Sequence, residues 1–384
     1  MKLLVFSHKI CWESPDSKTG WATDGGFSMH MDALALNFTE LTIITSVSKR
    51  MPIGEVGFIS PKIKIIPLNE WVNPANALLV KMVMPFWFLR YAILFLRKII
   101  SADAVHVPLP SHLGLPAVIL SWIIGKSLYV RHCGNWLAPK SMVEKFIKWF
   151  MENTPGKRRV YLATGGSNIS PSLRNKEIDW IFSSSIWEAE LQHSVQGKEI
   201  GKGKIKLIHV ARQELAKGAI IIVEALPILL NNGFDVGLTI VGEGVGVPII
   251  KKRVKELQLE EYIEFTGKLN HDGVLQKLNQ SSIFCYPTSA SEGFPKVVLE
   301  AMSMGIPIVT TPVSILQTLI PQSCAGLLIE RADPILVAEK VIYLISNPIV
   351  YSSMSMNGIT KAKDYTLESW SNQIFEKLKL KWSK

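Results

Sequence analysis

Short apolar runs recur along the chain and alternate with longer segments in which apolar positions return every three or four residues. In the first half the runs are KLLVFS, LTIITS, AVHVPL, SLYVRH and WIFSSS. In the second half they are IKLIHVA, GLTIVG, YIEFTG, SIFCYPT and IPIVTT. Many are continuous rather than alternating, as in parallel strands buried on both faces. Helical patterns such as AIIIVEALPILLNN and GVLQKLNQ stand between them. Repeated β-α units predict a doubly wound α/β sheet. The series breaks at QGKEIGKGKIK (196–206), whose three glycines and four lysines suit a polar linker. Two Rossmann-like domains facing each other across a cleft are therefore expected, over 1–195 and 207–365, followed by a terminal helical segment over 366–384. Ligands in such sheets bind beyond the carboxyl ends of the strands.

A chain of 384 residues suits two domains, and 48% hydrophobic with 19% charged residues excludes disorder. The net charge of +10 favours anionic partners, whether nucleotide phosphates, nucleic acid or anionic lipid, without choosing among them. The four cysteines, Cys11, Cys133, Cys285 and Cys324, form no CxxC unit and read as reduced thiols rather than a disulfide framework or zinc site. The opening apolar run, Leu3 to Phe6, is too short for a signal peptide and reads as a first strand. In the most hydrophobic segment, Ala77 to Ile100, the cations Lys81, Arg90, Arg97 and Lys98 interrupt the run. A spanning helix needs roughly 18 or more apolar residues, so a transmembrane span is rejected. A basic helix on a membrane surface and a helix packed on a sheet both remain open.

Four stretches carry candidate chemistry. SEGFPKVVLEAMSMGIPIVTT (Ser291 to Thr311) places Glu292 in a loop after a strand and Glu300 inside the helix that follows. Pro295 suits the first helical turn and Gly305 its end. The backbone of Gly293, Phe294, Pro295 and Lys296 would offer N–H groups to an anion, with a carboxylate on either side for hydroxyls. That is the pattern of a nucleotide sugar, although a capping acid and a solvated helix acid would read alike. IHVARQELAKG puts Arg212 and Lys217 after a strand, a bidentate donor and a point charge for a diphosphate. LTIVGEGVG sets Gly242, Gly244 and Gly246 after another strand, short of a full G-x-G-x-x-G fingerprint but permitting close backbone approach. Near the start, Gly25 and Gly26 precede a helical pattern, another loop-to-helix phosphate candidate. Arg131, His132 and Asn135 follow the strand SLYVRH; a lone histidine is more often structural than catalytic.

Together these stretches resemble the retaining glycosyltransferases of family 4, which have the GT-B fold. EGFPKVVLE matches the family's E-x7-E motif, ARQELAKG its Arg/Lys element, LTIVGEG its glycine-rich strand end and FTG the later F-x-G. The likeness is strongest from about Ile205 to Thr311. It implies that Arg212 and Lys217 bind the donor diphosphate, that Glu300 binds the ribose, and that Glu292 lies by the transferred sugar beside the Gly293–Lys296 backbone. It further implies that Gly25 and Gly26 approach the diphosphate from the first domain, that His132 sits near the sugar, and that the terminal helix crosses back to the first domain. Three departures stand out: Ala211 replaces the glycine before the arginine, Pro295-Lys296 replaces a glycine-rich turn, and no Asn-Gly turn separates the domains.

The resemblance implies a hexosyl-transferring enzyme that moves a sugar from a nucleoside diphosphate to a glycan or lipid-linked glycan hydroxyl, with retention, in polysaccharide or glycolipid biosynthesis. No D-x-D sequence is present, so no metal and no cofactor beyond the donor is expected. Two other readings are a non-catalytic GT-B subunit that binds nucleotide sugar or glycan, and a nicotinamide-dependent oxidoreductase, which leaves the glutamate pair unexplained. Nucleic-acid binding rests on charge alone and is not expected. The sparse cysteines suit a cytoplasmic protein, and the aromatic and lysine residues of MVEKFIKWFMEN, the 77–100 segment and the KLKLKWSK tail suggest peripheral contact with anionic lipid at the inner face of the plasma membrane, although ordinary core and solvated faces would read alike.

Overall fold

The computed structural model describes residues 1–48, 55–69, 77–111, 113–139, 141–167, 169–191, 197–201, 203–290 and 293–382. Contacts divide the chain into two units. One is Met1–Thr164 with Ile169–Ile181 and Trp370–Lys384; the other is Gly165–Asn168 with Phe182–Ser369. The main segment of the second unit begins at Phe182, ahead of the 196–206 segment read as a linker. Long-range packing sets the division: Phe182 packs against Phe294 and edge-on to Tyr365, and Ser185 hydrogen-bonds to Glu300.

The first unit runs β1 (Lys2–Phe6), β2 (Cys11–Glu13), β3 (Trp21–Asp24), α1 (Phe27–Asn37), β4 (Glu40–Ser46), β5 (Glu55–Gly57), β6 (Ile63–Leu68), α2 (Ala77–Ser101), β7 (Ala104–Leu109), α3 (Gly114–Ile123), β8 (Ser127–His132), α4 (Met142–Asn153), β9 (Arg159–Thr164) and β10 (Ile178–Ile181). Seven strands form one parallel sheet in the order β10-β9-β8-β7-β1-β4-β6. The chain steps from β1 through α1 to β4 in one direction. From β6 it returns through α2 to β7 and continues through α3 and α4. Right-handed crossovers then place α2, α3 and α4 on one face and α1 on the other. The packing agrees: Phe95 and Ile99 of α2, Val118 of α3 and Ile147 of α4 share one buried cluster with Phe6 and Val107. Strands β2, β3 and β5 make a small antiparallel sheet that the hydrophobic pattern did not predict.

The second unit continues with α5 (Glu188–Leu191), β11 (Ile205–Val210), α6 (Ala219–Asn231), β12 (Val236–Val241), α7 (Val247–Glu256), β13 (Ile263–Gly267), α8 (His271–Asn279), β14 (Ile283–Tyr286), α9 (Lys296–Ser303), β15 (Ile308–Thr310), α10 (Leu316–Ser323), β16 (Gly326–Leu328), α11 (Pro334–Ser346) and α12 (Pro348–Ala362). Its six parallel strands lie in the order β13-β12-β11-β14-β15-β16. Strand order therefore reverses between β11 and β14. The last helix, α13 (Leu367–Trp382), joins the first unit from Trp370 onward. There Trp370 stacks on His30 of α1 at 4.6 Å, and Ser371 Oγ donates to Ala33 O at 2.7 Å. Among the described residues no single helix is long and apolar enough to cross a membrane.

Asp32 is buried in α1, where its carboxylate accepts from Ile59 N at 3.0 and 3.1 Å and from Ser60 N at 2.8 Å. Burial outweighs these bonds and pushes its pKa from the ordinary 3.8 to about 6. A carboxyl with a raised folded pKa holds its proton more tightly in the folded state, so the fold loses stability as pH rises through that interval. Asp32→Asn does not titrate. Urea unfolding across that interval is expected to show the native chain losing roughly 1–3 kcal/mol relative to the variant. Parallel pH profiles would refute the assignment.

Candidate functional site

Adjacent strands β11 and β14 leave their sheet in opposite directions, and the place outside their carboxyl ends is where such sheets bind ligands. The loop after β11 carries Arg212 and Lys217, and the loop after β14 leads into α9. Backbone contacts pin the two together. Gly218 has φ 91°, and a Cβ there would stand 2.2 Å from Pro287 O. Ala216 O accepts from Ser289 N at 2.9 Å and from Thr288 Oγ1 at 3.1 Å. The loop after β12 joins them. A Cβ at Gly242 (φ 114°) would meet Ala211 O at 2.0 Å, and one at Gly244 would meet Gln213 O at 2.5 Å. Buried Gln213 completes the joint: its backbone N–H donates to Glu243 O at 2.9 Å and its Nε2 to Val241 O at 2.8 Å. The space at these glycines is thus taken by the neighbouring loop's backbone.

Arg212 is exposed, with Nη1 3.3 Å from a Glu214 carboxylate oxygen. Lys217 is 6% exposed and closes a 3-10 turn. Nearby His209 is fully buried, with Nδ1 3.0 Å from Cys285 O. Burial, with the Lys217 charge acting in the same direction, holds the His209 pKa down at about 4, so its ring is neutral beside the ammonium. Pro295 occupies the cap position of α9 rather than its first turn, and Lys296 is the first helical residue. Among the described residues no side chain caps α9 and no acid stands in its first turn. Phe294 packs against Phe182 and Tyr365, anchoring the Gly293–Lys296 approach. Ser291 and Glu292 lie outside the described residues.

Glu300 is 8% exposed on α9, with Oε1 2.5 Å from Ser185 Oγ. His271, the first residue of α8, stands with Nδ1 3.8 Å from the same oxygen and Nε2 3.0 Å from Glu190 Oε1. Glu190 Oε2 in turn accepts from Trp187 N at 2.7 Å. Ser185, Glu190 and His271 thus hold the carboxylate from two separate segments. None of the three appeared in the motif reading, since Glu190 and His271 are 81 residues apart in sequence.

In the first unit, Gly25 (φ 66°) turns the chain and Gly26 caps α1, which has neither a side-chain cap nor an acid in its first turn. His132 ends β8 with its ring fully buried, edge-on to Trp136 at 5.2 Å. Burial lowers its pKa, against the opposing pull of the Gly134 backbone and Glu144. Asn135 Oδ1 accepts from Leu137 N and Ala138 N, a turn-forming role. A separate cavity of about 370 Å³ lies at the amino ends of β11, β12 and β13, lined by Lys204, Lys206 and Lys277. That is the opposite end of the sheet from the loops, and Lys277 is paired there with Glu264 at 2.6 Å.

Residues 192–361 match the family model of the Glycosyl transferases group 1. The phosphatidyl-myo-inositol mannosyltransferase of Mycobacterium leprae is 26% identical over 172 residues, 45% of either chain. The chain spans less than half the length of the curated relatives it first matches. Two solved structures resemble it along almost its whole length. The glycosyltransferase of Rickettsia africae ESF-5 has a TM-score of 0.70 at 15% identity, covering 98% of this chain and 97% of that one. Anabaena Alr3699/HepE in complex with UDP has a TM-score of 0.67 at 15% identity, covering 98% and 99%. The fold is GT-B.

Burial lowers the His271 pKa, but the Glu190 hydrogen bond and the charges of Glu300, Glu190 and Asp272 outweigh it, and the net direction is up. A histidine raised in the folded state stabilises the fold below its ordinary value of 6.5 and loses that contribution as pH rises through the folded pKa. Glu190→Gln is therefore expected to flatten the pH dependence of the urea midpoint above that value and to lower the His271 pKa measured by NMR. An unchanged pKa would sink this account.

Proposed function

We propose that this chain is a retaining glycosyltransferase that moves a hexosyl group from a nucleoside-diphosphate sugar to a hydroxyl of a glycan or lipid-linked glycan, in polysaccharide or glycolipid biosynthesis. The observation that carries the reading is the pinned pair of loops at the β11/β14 reversal. They bring the stretch that carries Arg212 and Lys217 up to the loop leading into α9, inside the segment that matches the family model of the glycosyl transferases group 1. The UDP held by Alr3699/HepE supports a nucleotide donor, and the lipid-linked substrate in the name of the Mycobacterium leprae relative supports the acceptor class.

In this reading the leaving diphosphate gains negative charge as the glycosidic bond breaks. The Arg212 guanidinium, the Lys217 ammonium and the N–H groups leading into α9 stabilise it. Burial of Lys217 strengthens its effect, because a charge held away from water is screened less. Glu300, fixed by Ser185 and His271, receives the ribose hydroxyls, and Glu292 serves the transferred sugar. Gly25, Gly26 and His132 are the residues that the reading enlists from the first unit. The two cations replace a metal, and the acceptor proton passes to the leaving phosphate on the same face. The protein acts in the cytoplasm, in peripheral contact with the plasma membrane.

Release of the nucleoside diphosphate from UDP-, GDP- and ADP-sugars tests this. Lys217→Ala and Glu292→Gln are each expected to lower the rate by roughly 100-fold or more, and EDTA to leave it unchanged. Near-native rates in both variants would overturn the assignment. Tight donor binding without turnover on any acceptor would replace it with a non-catalytic subunit.

A further inference from the structure

The helix layer α2–α3–α4 of the first unit has an outer face unlike that of an ordinary soluble sheet protein. On α2 the exposed positions are Phe86, Leu89, Ile93, Leu96 and Ile100, spaced by three and four residues. That is the outward stripe, since Phe95 and Ile99 occupy the core. A helix with a solvated outer face carries polar residues there, whereas Ile93 is 67% exposed. On α3, Trp122 and Ile123 are exposed, the latter at 72%. On α4, Met142, Phe146 and Trp149 are exposed, with the Phe146 and Trp149 rings tilted against each other at 5.8 Å.

These patches are joined. Lys126 Nζ donates to Ile100 O and Ala102 O at 2.7 Å, tying the end of α2 to the turn after α3. The Arg159 guanidinium lies 5.3 Å over the Trp122 ring, and its Nη1 donates to Thr154 O, just past α4, at 2.8 Å. The carboxyl ends of all three helices therefore meet at a cationic rim. Across 86–100, 114–126 and 141–159 the chain has nine Lys and Arg against two acids. Both acids are engaged, Glu144 in the capping box of α4 and Glu152 by Ser172 Oγ at 3.0 Å.

We propose that this three-helix outer face is a docking surface for an anionic lipid bilayer. Charge complementarity selects the occupant: a second copy would set this basic face against itself, which like charge opposes. Anionic headgroups would receive the rim, each Lys or Arg near the surface strengthening attachment roughly fivefold. The acyl boundary would take the aliphatic side chains of α2, and Trp122 and Trp149 suit headgroup depth. The lysine-rich tail, read from sequence as part of the basic face, is excluded from it. Its helix α13 packs with α1 on the other side of the sheet, and Lys377 and Lys381 pair there with Asp179 and Glu177 at 2.5 and 2.7 Å. The inference rests on the proposed function only for its purpose, which is to hold the protein at a lipid-linked acceptor.

Co-sedimentation of the full chain with vesicles of phosphatidylcholine, alone or mixed with phosphatidylglycerol, tests it. Partitioning is expected to be at least ~10-fold higher on the mixed vesicles and to fall with added salt. Paired Ile93→Asp and Trp149→Asp substitutions should reduce it by a similar factor, with an unchanged melting temperature and an unchanged stabilisation by UDP. The proposal is overturned by no preference for anionic vesicles, by equal binding of the paired variant, or by a solution dimer that the paired variant dissolves. Vesicle binding without any stabilisation by nucleotide would instead refute the glycosyltransferase reading and leave this surface standing.

Discussion

The reversal of strand order between β11 and β14 is the constraint on which the candidate site depends. Neighbouring parallel strands whose chains depart in opposite directions leave no helix to cover the space above their carboxyl ends. That space can be structured only by loops, and loops in open solvent are poor at holding charges in place. The second unit answers with backbone packing. Gly218, Gly242 and Gly244 lack the Cβ that would collide with Pro287, Ala211 and Gln213, so the loops after β11, β12 and β14 lock together through carbonyl and N–H groups. Lys217, just ahead of α6, is held almost fully buried in this joint.

The same division of labour governs the carboxylate. A helix fixes where Glu300 starts, but one helix leaves its side chain several rotamers. Ser185 and His271 reach it from segments distant in the chain, and Glu190 fixes the ring of His271. A buried acid with a hydroxyl and an imidazole at one oxygen has its orientation settled by the fold.

What the sequence made legible follows from range. Continuous apolar runs marked ten strands, since burial on both faces is a local demand on composition. IKIIPL is not among those runs and forms β6, where among the described residues it pairs with β4 alone, and the edge position tolerates the N–H missing at Pro67. The three-stranded antiparallel sheet was invisible because its strands are three and four residues long and their pairing is non-local. The glycines after β12 were recognised as close-approach positions, but which backbone approaches them is a tertiary fact. The motif reading isolated Arg212, Lys217 and Glu300 without the residues that hold Glu300, for those partners obey no spacing.

The two helix layers of the first unit show the same distinction between composition and placement. By composition the 77–100 segment, MVEKFIKWFMEN and the lysine tail looked like parts of one basic, apolar surface. Topology separates them: chain direction through β7, β8 and β9 keeps α2, α3 and α4 on one face, while α13 returns to α1. On the α1 side, Trp370 and Ser371 fill the interface, and two of the tail's lysines find acidic partners on β10 or just before it. On the other side the outward stripe of α2 stays as apolar as its inward one. A stripe that contributes nothing to the core, yet is kept free of acids and ringed with cations, is explained by what lies outside the molecule rather than by folding.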